Sequence, residues 1–290
     1  MVSPMRHQHT LGQAITVHGT GLHTGRAVTV QLLPAAADTG IIFQSRDHPD
    51  AAPIPARYTS VLDTRLATTL GNADWRVSTV EHLLAALWVS ELSNVIISVS
   101  GGEVPVLDGS AAPWLEALSS SGRIRQSAPR PVLSITKPVA VRDGARWARL
   151  SAGPELWLSA QITFDHPRIL HQALSLSLTA ESFRTELSWA RTFGFLSDVE
   201  ALHAAGLARG GGLENAVIYD TEDVLNPEGL RRADEAIRHK LLDMVGDLAL
   251  AGVDIQGRFE ASRPGHALNL RLLQKLFDSS DHWVMLGEKG

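Results

Sequence analysis

Apolar residues recur at helical spacing in two places. Val80, Leu83, Leu84 and Leu87 form one stripe, and Ile237, Leu241, Met244 and Leu248 form another, so each predicts a helix buried along one side. The second helix is read over about 228–251. Alternation and short apolar runs predict strands at 14–17, 27–33, 40–44, 95–99, 156–164 and 253–260. Two hairpins are expected. One joins 64–70 to 75–77 through Gly71-Asn72-Ala73-Asp74, and the other joins 139–142 to 147–151 through Asp143-Gly144. Further helices are expected at 110–118, 183–192 and 199–207, with a last one ending near 277.

The order helix, strand, turn, helix runs over 82–118 and again over 239–277. In each copy a histidine precedes the strand by a similar distance, His82 before Val95 and His239 before Val253. The polar stretch 122–131, ending in Pro129-Arg130-Pro131, reads as a linker between the halves 1–121 and 132–290. Two similar layered units packed face to face would bring the two histidine-bearing helices together at the seam, where clefts and ligand sites usually form.

Composition narrows the chemistry. The 290 residues carry a net charge of -5, which argues against a nucleic-acid scaffold. No apolar run is long enough for a membrane span, and the polar start carries no signal region, so a cytoplasmic protein is expected. There is no cysteine, which removes disulfides, zinc ribbons and thiolate nucleophiles. Any metal must be held by histidine and carboxylate.

His239 and Asp243 lie four apart on one helix face, a spacing at which both can reach one metal ion. For that pair alone, a solvated polar face opposite the core stripe is the plainer account. Glu81 also has a plain account, as the third residue of a capping box begun by Ser78. His82 has none. Taken together, His82, His239 and Asp243 make a three-ligand zinc set. Glu81 would take a proton from a metal-acidified water, and His266 would protonate a leaving amine or stabilise an oxyanion. Asp247 would orient or charge His266, and Lys240 would add a cation for a carbonyl oxygen or phosphate. The turn Gly19-Thr20-Gly21-Leu22-His23-Thr24-Gly25 lacks the spacing of a dinucleotide fingerprint, and His23 is expected exposed at its tip.

Six stretches in collinear order resemble the UDP-3-O-acyl-N-acetylglucosamine deacetylases, zinc amidases of lipid A biosynthesis in Gram-negative bacteria. They are Gly19 to Gly25, Ser78-Thr79-Val80-Glu81-His82, Leu107-Asp108-Gly109-Ser110-Ala111-Ala112-Pro113, Ala190-Arg191-Thr192-Phe193-Gly194-Phe195, Arg238-His239-Lys240-Leu241-Leu242-Asp243 and Gly265-His266-Ala267-Leu268-Asn269. The resemblance implies an α/β (α+β) fold of two similar two-layer sandwich domains with the active site between them. It implies one zinc, or iron(II), on His82, His239 and Asp243, with Glu81 as general base and His266 as general acid. It places Thr192 on the substrate carbonyl, Lys240 and His23 near polar groups of the substrate, and Phe193 near its sugar or acyl part. An insertion at about 192–220 would form a hydrophobic passage for the acyl chain, with Leu202 facing it. The expected partner is the small-molecule substrate, UDP-3-O-acyl-N-acetylglucosamine, and the expected state is a monomer. Trp189 stands where a basic residue is expected, and Glu214 where Asp is commoner, which leaves fine substrate preference open. Two alternatives remain. One is a zinc hydrolase of another acylated amino sugar. The other is a sugar-nucleotide-binding relic, which should have lost part of the catalytic set.

Overall fold

The computed structural model describes residues 6–287. Two five-stranded sheets share one topology. Across the first the order is Ile15–Thr20, Ala27–Pro34, Val95–Ser100, Ile41–Ser45 and Ile54–Pro55. Across the second it is Val139–Asp143, Arg146–Ser151, Arg258–Ser262, Trp157–Thr163 and His171–Ser177. In both, the third and fourth strands pair parallel and every other pair is antiparallel. The weak repeat in the sequence is therefore a repeat of connectivity.

Helices α1 (Glu81–Val89) and α2 (Ala112–Ser121) belong to the first half. The second half holds α3 (Ala180–Ser182, continued as a π-helical turn to Leu187), α4 (Leu196–Ala204), α5 (Glu235–Ala249) and α6 (His266–Asp278). In strand Ala27–Pro34 the side chains of Val28, Val30 and Leu32 point into the core, the period-two pattern of a sheet with one covered face. Helix α1 is buried at every residue but Trp88 because α5 covers the side that its sheet does not. The two helices meet closely at Gly246, where a Cβ would lie 2.1 Å from the carbonyl oxygen of Glu81. Only glycine lets the two backbones approach this far. No helix among the described residues is long and apolar enough to cross a membrane.

Several expected elements differ. The stretch 122–131 is not an open linker. Arg123–Pro129 is a strand paired antiparallel with His7–Leu11, and its largely exposed side chains give it the polar composition of a loop. The main helix starts at Glu235, because turns over 228–234 bring Glu228 and the Gly229 carbonyl to Arg191. The strand expected over 253–260 breaks at Gly257 (φ 158°). Asp254–Gln256 joins a sheet with Val132–Ile135, and Arg258–Ser262 joins the five-stranded one. The helix expected over 183–192 ends at Leu187, and the chain then runs into a strand, Phe193–Phe195. The hairpin strand expected from 64 begins only at Thr69.

Candidate active site

Glu81 and His82 are the first two residues of α1, and His239, Asp243 and Asp247 stand on successive turns of α5 facing it. The polar side of α5 is thus buried at the seam and does not face water: His82, His239, Asp243 and Asp247 are each under 5% exposed. Asp243 Oδ1 lies 3.4 Å from His239 Nε2 and 3.6 Å from His82 Nε2. One donor atom from each of the three residues falls within 4.8 Å of the others. Donors bound to one zinc at about 2.0–2.2 Å lie roughly 3–4 Å apart, so the three residues fit a single ion.

The backbone fixes the donor state of His239. Its Nδ1 lies 3.0 Å from the Ala190 carbonyl, which can only accept, so Nδ1 carries the hydrogen and Nε2 turns its lone pair to the cluster. Burial holds the His239 imidazole down to about 3, hence neutral. Burial alone would push the Asp243 carboxyl up, but His239, Lys240 and a hydrogen bond from His82 outweigh it and hold it well below the usual range. Lys240 Nζ donates to Asp243 Oδ2 at 2.8 Å. The set offers two imidazoles and one carboxylate.

A second group flanks this one. Asp247 accepts the Thr68 hydroxyl on one oxygen at 2.7 Å, and Asn269 Nδ2 and His266 Nδ1 on the other at 2.8 and 2.9 Å. His266 Nε2 then lies 3.8 Å from Glu81 Oε1, and Glu81 Oε2 accepts the Thr68 backbone N–H at 3.0 Å. Burial by itself would lower the His266 pKa, yet the Asp247 and Glu81 carboxylates raise it to about 10. Burial raises Glu81, partly offset by His266 and His82. The capping box expected at Ser78 and Glu81 does not form: the N-cap is Val80, it makes no side-chain cap, and the Glu81 carboxylate is turned to Thr68 and His266.

Around this pair the remaining expected residues take varied positions. Thr192 is half-buried on the strand edge, its N–H donating to the Gly109 carbonyl and its own carbonyl accepting from Val217. Phe193 stands 6.2 Å from the His239 ring, with Lys240 Nζ 5.4 Å from its centroid. It belongs to an aromatic cluster with Phe164, Phe195 and Tyr219 that the sequence reading did not assemble. His23 is not an exposed tip. It is 9% exposed, because Glu103 ties down its turn and residues 208–210 cover it. Its Nε2 is buried and has no partner among the described residues. Leu202 is half-buried on α4, a helix with no buried residue. Trp189 lies under two guanidiniums, Arg232 and Arg238, at 5.7 and 5.6 Å.

Sequence reasoning also missed the support beneath the three donors. Arg191 is buried against Glu235, with Nε–Oε1 at 2.9 Å and Nη2–Oε2 at 3.2 Å, and it also reaches Glu228 and the Gly229 carbonyl. This holds the segment whose Ala190 carbonyl orients His239. Arg191 and Asn269 lie inside the quoted motifs and were open to notice. Thr68 lies outside them and carries no local signal.

Comparison with known proteins points to one family. The family model for UDP-3-O-acyl N-acetylglycosamine deacetylase matches residues 8–278. A UDP-3-O-acyl-N-acetylglucosamine deacetylase of Syntrophotalea carbinolica is 44% identical over 97% of this chain and 91% of its own length. Relatives of the same name from Geobacter sp. (strain M21) and Myxococcus xanthus are 44% and 46% identical, over 96% and 93% of this chain and 92% and 86% of theirs.

Proposed function

Since this chain belongs to the UDP-3-O-acyl N-acetylglycosamine deacetylase family, we propose that Glu81 and His266 work as a base and acid pair beside a metal held by His82, His239 and Asp243. The reaction is hydrolysis of the N-acetyl group of UDP-3-O-acyl-N-acetylglucosamine, giving UDP-3-O-acyl-glucosamine and acetate, a step of lipid A biosynthesis. We read the metal as zinc, with iron(II) the alternative that the same set of two imidazoles and one carboxylate accepts. The protein is read as a cytoplasmic monomer.

When bound, the metal supplies a Lewis acid next to the amide carbonyl. The protein supplies the proton transfers. Glu81, its carboxylate made more basic by burial, accepts a proton from the attacking water. His266, kept cationic by Asp247, donates its Nε2 proton to the amide nitrogen as the C–N bond breaks, so the amine leaves neutral. Asp247 holds the tautomer by accepting from Nδ1. The Thr192 hydroxyl makes no hydrogen bond among the described residues and is assigned to the carbonyl oxygen. Lys240 and His23 are assigned to the polar groups of the substrate, and Phe193 to its sugar or acyl part.

The observation that carries this reading is the buried three-donor cluster lying beside the Glu81–His266 pair. The test is acetate release from UDP-3-O-acyl-N-acetylglucosamine with and without a chelator. Release that stops with chelator and returns with zinc is expected. Release unaffected by thorough metal removal contradicts it.

A further inference from the structure

Thr68 joins α1 to α5 at the seam, with its main chain on one helix and its side chain on the other. Its backbone N–H donates to Glu81 Oε2 at 3.0 Å and its carbonyl accepts the Val80 N–H at 3.4 Å, so the main chain is stitched to the start of α1. Its hydroxyl donates to Asp247 Oδ1 on α5 at 2.7 Å. The other oxygen, Oδ2, meets His266 Nδ1 and Asn269 Nδ2 of α6 at 2.9 and 2.8 Å. Thr68 is 2% exposed, and the gap beside it and His266, walled by Val61, Leu250 and Leu270, has no room for a water molecule.

We propose, resting on the Glu81–His266 reading above, that Thr68 is a positioning residue for the reaction: its amide places the Glu81 carboxylate and its hydroxyl fixes the plane of the Asp247 carboxylate. The terminal torsion of an aspartate is broad, so the side chain alone does not settle which way its oxygens face. One donor on Oδ1 and two on Oδ2 settle it, and Oδ2 is presented to His266 Nδ1. Without the hydroxyl, Oδ1 is a buried acceptor with no partner, which is costly, and the carboxylate turns to share the donors left to it. His266 then loses the alignment of its Nδ1 bond, and with it the aim of Nε2, which lies 3.8 Å from Glu81 Oε1. Glu81 keeps its own hold, because Thr68 reaches it through the backbone.

The test compares Thr68→Val, which keeps the branched shape and removes the hydroxyl, with Thr68→Ser, which keeps the hydroxyl. Alanine is unsuited, because it opens space for a water that could replace the hydroxyl. For each variant kcat, KM and metal content are measured well below its melting temperature. Thr68→Val should keep its metal and the parental KM, with kcat about tenfold lower, a fraction of the ~10²–10⁴ that positioned proton transfer supplies. Thr68→Ser should restore most of kcat. Thr68→Val made on top of Asp247→Asn should lower kcat no further, because Thr68 acts through Asp247. Parental kcat in Thr68→Val with only a lower melting temperature would overturn the proposal. So would loss of the metal, no rescue by serine, or a valine effect that persists in full on Asp247→Asn. If Asp247→Asn itself has parental kcat, the acid and base assignment fails and the role of Thr68 falls with it. A slow Asp247→Asn beside a normal Thr68→Val faults Thr68 alone.

Discussion

Asp247 spends both its oxygens on neighbours, and one of those bonds sets the charge of His266. The sign of the pH effect follows. The folded pKa of His266, about 10, lies above the ordinary imidazole value, so the folded state favours the protonated form. That contribution to stability is full below pH about 6.5 and is lost as pH rises through about 10. Catalysis should follow the same group. A cation on the neighbouring ligands lowers the value, so the basic limb of kcat/KM should fall below pH 10 in the metal-loaded enzyme. Asp247→Asn removes the carboxylate that holds His266 up, so the limb should move to lower pH. His266→Ala should remove it or shift it. A pH–rate profile unchanged in both variants would take His266 out of the acid role.

Among the elements, α1 and α5 are the most legible in the sequence, because each carries a long apolar stripe at a single period. The use of their polar faces is not legible locally. Whether His239 and Asp243 face water or a partner depends on a helix some 150 residues away in sequence, and on Gly246 letting that helix approach. The strand Arg123–Pro129 shows the converse: exposed on both faces, it lacks the alternation that marks a half-buried strand, and only its pairing with His7–Leu11 identifies it. Helix α5 starts at Glu235 and not at 228 because the helical period says nothing about Glu228 and Glu235 being drawn to Arg191. That ion pair makes a prediction. Arg191→Met leaves Glu235 buried without its cation, which should cost about 3–5 kcal/mol of stability. It should also loosen the Ala190 carbonyl that orients His239, and so lower metal occupancy. Chemical denaturation and elemental analysis of the same variant check this, and no change in either would show that the buried pair is not a support for the site.

Over the whole molecule, two copies of one layered unit put α1 and α5 back to back and leave the buried polar cluster between them. The segment 192–220 crosses that seam. Arg209 and Gly210 donate to the carbonyls of His23 and Leu22 in the other half, while α4 buries no residue and leaves Leu196 48% exposed. A helix that contributes so little to the core fits a wall for the acyl chain. Leu202→Glu should then penalise long acyl substrates more than short ones, by up to about 0.8 kcal/mol per methylene that loses its apolar cover. A series of acyl lengths assayed for kcat/KM checks it, and equal losses at every length would send the search for the passage elsewhere. The central claim is the division of labour between three ligands that hold the metal and a separate Glu81–His266 pair that moves protons. It is tested most directly in purified Glu81→Ala, with kcat and metal content measured on one sample. The account predicts one metal per chain, as in the parent protein, and kcat lowered by about 10²–10⁴. Near-normal kcat with only a lower melting temperature, or loss of the metal itself, would contradict it.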